Sequence, residues 1–160
     1  CDLRRPAIHR IFGLQDPPGL SDYLENGKDL SEFLIKTGHN KLTLLPAGKS
    51  PRNPLELLSS EKMKDMLKEV RERYSDRFVI LDSPPPRLTA ESNALARLVD
   101  GVVLVVKKGA AGRDVINDLV KSIGKEKLAG VVFNHFELPK ISALGYGKYG
   151  KYGKYHGYYK

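Results

Sequence analysis

The chain has 160 residues, 41% of them apolar and 29% charged, which suits one globular domain with a sizeable core rather than a disordered segment. One cysteine, Cys1, excludes an internal disulfide framework and a multi-cysteine metal site and fits a reducing compartment; the longest apolar run, Val102 to Val106, is far too short to cross a bilayer, and no signal-peptide pattern is present. The net charge of +8 is uneven: no acid follows Glu137, whereas five lysines do, so the rest is only mildly basic and argues poorly for a nucleic-acid face on the fold.

In chain order, Asp2-Leu3-Arg4-Arg5-Pro6 comes first. Pro6 suits the first turn of a helix, with Ala7, Ile8, Ile11 and Phe12 as its apolar side and Gly13 as its stop. Asp2 and Arg4 then sit where a strand hands over to that helix. Gly19 to Leu24 reads as a short helix with Ser21 as a possible cap. Phe33–Lys36 and Leu42–Leu45 are short strand candidates with hairpin-like spacing. Pro46 to Pro54 is a loop by its punctuation, and Pro54 opens a short helix carrying Leu55, Leu57 and Leu58. Ser59 or Ser60 caps the next helix, where Met63, Met66, Leu67, Val70 and Tyr74 form one apolar face and Glu69 precedes Arg73 by one turn.

Phe78-Val79-Ile80-Leu81 then runs straight into Asp82 and, after Ser83, three prolines. Four consecutive apolar residues predict a strand buried on both faces, and the prolines end it. That places Asp82 at the C-terminal edge of a sheet, where open α/β folds bind ligands. A helix follows from Thr89 through Leu98. Gly101–Val106 is another buried strand and Leu128–Asn134 is the next strand, closing on a polar side chain; a helix striped with Val115, Ile116, Leu119, Val120 and Ile123 separates them. Strands alternating with amphipathic helices imply an α/β fold with a parallel sheet flanked by helices. On such a sheet Asp82, Lys107 and Asn134 would share one edge. The end is of another kind: tyrosines at 146, 149, 152, 155, 158 and 159 are spaced by glycine and lysine, without an aliphatic residue after Leu144. Residues 141–160 are therefore expected to be a flexible tail on a domain of residues 1–140.

Mg²⁺ in phosphoryl transfer is held by one or two carboxylates plus phosphate oxygens, and Asp2 and Asp82 are the right type of residue for that work. Arg4 can answer charge developing on a phosphate. Each also has a structural reading: Asp2 as a helix N-terminal carboxylate, Asp82 as the first polar residue after a strand. The four histidines show no ligand spacing, and no G-x-S-x-G elbow surrounds Ser83.

Four motifs in one order carry a resemblance: Asp2-Leu3-Arg4-Arg5-Pro6, Pro46-Ala47-Gly48 with Asn53-Pro54-Leu55-Glu56-Leu57-Leu58, Phe78 to Pro85, and the terminal tyrosines. Together the chain resembles the bacterial tyrosine autokinases of capsule and exopolysaccharide loci, whose P-loop ATPase fold is related to septum-positioning and partitioning ATPases. The resemblance implies ATP and Mg²⁺ as cofactors. It makes Asp2 the second carboxylate and Arg4 the arginine of a D-x-D-x-R motif, and Asp82 the Walker B aspartate. It also makes Asn134 a candidate base contact; a strand-end asparagine bonded to backbone is the alternative.

G-x-x-x-x-G-K-[ST] does not occur, and Gly48-Lys49-Ser50 lies in a proline-rich loop without the preceding glycine. With no initiator Met and a start inside a motif, the chain is expected to be the C-terminal part of a longer kinase. Alone it would be inactive, with sheet edges left unpaired.

The six tail tyrosines are the implied phosphoacceptors. Fifteen flexible residues span about 20–23 Å on average, which favours transfer between adjoining subunits of a ring-like homo-oligomer. A membrane-bound polysaccharide co-polymerase as activator and a tyrosine phosphatase are the other implied partners, at the inner face of the plasma membrane. Nucleic acid is not expected. Two readings stay open beside the kinase: an ATPase switch of the partitioning type, and polyanion binding through the basic tyrosine-rich tail.

Overall fold

The computed structural model describes residues 1–74, 76–86 and 90–136. The tail tyrosines and Thr89 lie outside the described residues. In order, the elements are α1 (Ile8–Ile11), α2 (Leu20–Asn26), a 3₁₀ turn (Leu30–Phe33), β1 (Ile35–Lys36), β2 (Thr43–Leu44), α3 (Pro54–Leu58), α4 (Glu61–Arg73), α5 (Ala90–Leu98), β3 (Val102–Lys107), α6 (Arg113–Ile123) and β4 (Leu128–Asn134). No described helix is long and apolar enough to cross a membrane.

The core gathers around α2 and α4. Ser60 caps α4, its Oγ accepting from the Met63 amide at 3.2 Å, and Met63 and Met66 are buried. Leu20, Tyr23 and Leu24 of α2, Leu30 and Phe33 of the 3₁₀ turn, Leu58 of α3 and Leu95 of α5 close around them. Tyr23 and Phe33 meet edge-on with ring centroids 6.0 Å apart. Lys62 crosses from α4 to α2 and donates to the Tyr23 and Leu24 carbonyls at 2.6 and 3.1 Å, capping part of that helix's C-terminal end. On the outside of α4, Glu69 pairs with Arg73 at 2.7 Å, as the spacing predicts.

The α2 N-terminus is built differently from the expectation. Gly19, not Ser21, is the cap residue, and Ser21 is buried in the first turn, where its Oγ donates to the Lys49 carbonyl at 2.7 Å. The Leu20 and Ser21 amides donate to the Pro46 and Ala47 carbonyls at 2.8 and 2.9 Å. Those amides lack intrahelical partners, and the Pro46-Ala47-Gly48 backbone supplies them. The close fit needs glycine: Gly48 has φ +81°, and a side chain there would strike Asp22 and Ser21, just as one at Gly19 would strike the Pro46 carbonyl. Ser50 in the same loop donates to the Leu3 carbonyl at 2.9 Å and ties it to the start of the chain.

The parallel sheet consists of β3 and β4 among the described residues, in register from Val103 opposite Gly130 to Lys107 opposite Asn134. β1 and β2 form a separate antiparallel pair, Ile35 opposite Leu44. Two expectations are corrected. Phe78–Leu81 is not a strand: it pairs with no other described segment, and Phe78 and Ile80 are 98% and 87% exposed. β3 is buried on one face only, through Leu104 and Val106, while Val103 and Val105 are exposed. An apolar run becomes a two-faced buried strand only where neighbours lie on both sides, and the described residues do not supply them. The apolar side of α1 is also misplaced: Ile11 is exposed and His9 is buried. A helix of one turn has too few residues for a periodic face to decide its orientation.

Candidate active site

Leu3 and Leu81 position the two candidate carboxylates. Leu3 is buried in the helical core, and Leu81 packs against the same core from the other segment. Asp2 and Arg4 flank Leu3, and Asp82 follows Leu81, so burial of two leucines holds these three polar residues at the margin of one core. The Cys1 amino group donates to the Asp82 backbone carbonyl, which sets the segments of Asp2 and Asp82 side by side.

Asp2 has a structural task of its own. Its Oδ1 accepts from the Arg4 amide at 3.1 Å and the Arg5 amide at 2.9 Å, an Asx-type turn that fixes the start of the chain. Oδ2 takes no part in those bonds. Asp82 is exposed. Asp2 and Asp82 thus present one half-covered and one exposed carboxylate from adjacent segments, and carboxylate oxygens are the donors hard cations take. Among the described residues no cluster of three or more His, Cys, Asp or Glu side chains could hold a metal by itself. The donor set therefore fits Mg²⁺ that takes its remaining ligands from phosphate and water, and does not form an all-protein cage.

Arg4 is held by Glu91. Its Nε donates to Glu91 Oε1 at 2.8 Å and its Nη2 lies 2.7 Å from the same oxygen in an ion pair, and Glu91 is 2% exposed at the second position of α5. The Arg4 side chain remains 57% exposed. It lines an open cleft of about 550 Å³ with Arg52, Asn53, Pro54, Leu55, Glu56 and Ser59. Pro54 begins α3, and Asn53 Nδ2 donates to Glu56 Oε2 at 3.0 Å across its first turn. The Asn53–Leu58 motif thus forms one wall of the cleft into which Arg4 reaches.

Asn134 stands at the end of β4 opposite Lys107, with its Oδ1 accepting from the His135 amide at 2.8 Å and its carbonyl accepting from the Lys108 amide at 3.0 Å. Lys107 and Asn134 do share an edge. No described contact joins Asn134 to Asp2, Arg4 or Asp82, and the bond to His135 is the backbone role named as its alternative. Glu91 was not legible as a site residue: a lone glutamate near a helix start carries no local signal, and its partner lies 87 residues away.

With this geometry in place, likeness to known proteins can be stated. No family model matches the chain. The tyrosine-protein kinase YwqD of Bacillus subtilis is 33% identical over 148 residues, 91% of this chain and 62% of that protein. The tyrosine-protein kinase Ptk of Acinetobacter johnsonii is 35% identical over 148 residues, 91% of this chain and 20% of that one. Among solved structures, the VpsO kinase domain superposes with a TM-score of 0.78 at 33% identity, covering 86% of this chain and 68% of that one. The kinase domain of the Escherichia coli tyrosine kinase ETK gives 0.77 at 26% identity, covering 91% and 57%. The chain belongs to the bacterial tyrosine-protein kinase family. It spans about three fifths of the length of the Bacillus relative and one fifth of the Acinetobacter one.

Proposed function

We propose that the intact protein is an ATP-dependent tyrosine autokinase acting in capsule or exopolysaccharide synthesis, and that Asp2, Arg4 and Asp82 are this chain's share of its phosphoryl-transfer site. The observation that carries the reading is the juxtaposition of the Asp2–Arg4 and Asp82 segments at the margin of the core, joined through the Cys1 backbone nitrogen. Asp82 and the Oδ2 oxygen of Asp2 would hold Mg²⁺. Mg²⁺ held there would supply positive charge to offset that of the ATP phosphates. Arg4 offers further donors to the same phosphates from the cleft wall. In the transfer, the bond between the γ-phosphorus and the ADP oxygen breaks, a bond to a tyrosine oxygen forms, and the phenolic proton is released.

The acceptors under this reading are Tyr146, Tyr149, Tyr152, Tyr155, Tyr158 and Tyr159, reached between neighbouring copies in a ring-like assembly. Each phosphate adds about −1.5 to −2 charges, so modification turns a basic tail acidic and weakens its attraction to an acidic site. A membrane-bound polysaccharide co-polymerase as activator, a tyrosine phosphatase as antagonist and a location at the inner face of the plasma membrane complete the proposal. Asn134 is its candidate contact to the base.

Calorimetric titration of the intact protein with ATP tests the site. Mg²⁺ should tighten ATP binding in the native protein, and D2N or D82N should abolish that gain. An undiminished Mg²⁺ effect in both variants would remove the two carboxylates from the site.

A further inference from the structure

Among the described residues, Glu91 is the only carboxylate in the buried set, and the chemistry above does not use it. A buried carboxylate is costly unless held by a charge and by hydrogen bonds. Here Arg4 supplies both, through an Nε hydrogen bond at 2.8 Å and an Nη2 ion-pair contact at 2.7 Å to one oxygen, and a place in the first turn of α5 favours the ionised form. Arg4 has five N–H donors in a planar fork. Glu91 engages Nε and Nη2, which fixes the plane of the fork on a side chain that reaches the cleft.

The neighbouring residue does the matching work on the other segment. Ser92 Oγ donates to the Pro84 carbonyl at 2.6 Å, in a buried bond two residues beyond Asp82. One turn of α5 thus grips both halves of the site, Arg4 through Glu91 and the Asp82 segment through Ser92.

We propose that Glu91 is a positioning residue for Arg4, orienting the guanidinium for the transferred phosphoryl group without touching the nucleotide. This rests on the assignment of Arg4 to the phosphoryl-transfer site. Misplacing a catalytic group by about 1 Å costs on the order of 10²-fold in rate.

The test uses the intact protein and the variants E91Q, E91D, R4A, R4A/E91Q and R4A/E91D. Autophosphorylation at saturating ATP gives kcat, a fluorescent ADP analogue gives nucleotide Kd, and thermal unfolding reports the fold. E91Q should lower kcat by about 10²-fold while Kd for the analogue changes little. E91D, which keeps the charge, should recover part of that loss. On the R4A background, E91Q should lower kcat no further. Should E91Q fold poorly, E91D is read instead: a several-fold loss of kcat in the native background and none beside R4A.

A loss from E91Q or E91D that is equally large beside R4A would overturn the proposal in favour of a structural role. So would full kcat in E91Q when R4A is impaired. Full kcat in R4A itself would remove the assignment of Arg4, and with it the basis of the proposal, which distinguishes the two failures.

Discussion

Asp2 shows how one side chain can serve fold and chemistry with different atoms. Its Oδ1 closes the turn over Arg4 and Arg5, and an amide oxygen would do that nearly as well as a carboxylate oxygen. Under the proposed function, the charge is needed only for a cation. D2N should therefore leave thermal stability within about 0.5 kcal/mol of the native chain, whereas D2A, which loses the acceptor, should cost about 1 kcal/mol. Denaturant unfolding of both variants measures this. Equal destabilisation by D2N and D2A would mean the carboxylate charge itself holds the turn. At this scale the sequence was informative about residue type and silent about partners. Asp2, Arg4 and Asp82 could be singled out from their places beside apolar residues and prolines, but the grip of Glu91 on Arg4 joins residues 87 apart and has no sequence signature.

Elements were legible where their cause is local. α4 needs a capping serine, a 3.6-residue apolar period and a charged outer face, and all are written within fourteen residues, Ser60 to Arg73. The Phe78–Leu81 run was misread because a strand is defined by its neighbours. The same four residues would be a central strand between two partners; without them Phe78 and Ile80 lie exposed and only Leu81 packs against the core. The two regions should respond oppositely to mutation in the 160-residue chain. Met63→Ala removes a fully buried side chain and should cost about 2–5 kcal/mol. Phe78→Ser should change stability by less than about 0.5 kcal/mol and reduce self-association, because it removes exposed apolar surface. Urea unfolding and sedimentation read both effects; a costly Phe78→Ser would mean that the segment is buried against part of the chain. The Pro46-Ala47-Gly48 loop is a third case. Its punctuation marked a loop, but that its carbonyls satisfy the first amides of α2 follows only from the two meeting in space.

At the scale of the molecule, two kinds of order are joined. A helical core sets Asp2, Arg4 and Asp82 around its margin, while β3 and β4 carry the parallel pairing characteristic of the α/β class. The fold class followed from alternation of strand and helix, and likeness to kinase domains at TM-scores of 0.78 and 0.77 agrees with it. The number of strands did not follow, since pairing is settled by whatever lies alongside. The tyrosine-rich end was legible as composition and lies outside the described residues.

Phosphotyrosine mapping by mass spectrometry, on the intact protein incubated with ATP and Mg²⁺ beside its D82N variant and a chelated control, tests the central claim most directly. The expected result is phosphate on several of the tyrosines between Tyr146 and Tyr159 in the native protein, and on none in D82N or after chelation. Unmodified tyrosines in the native protein, or an unchanged pattern in D82N, would contradict the claim.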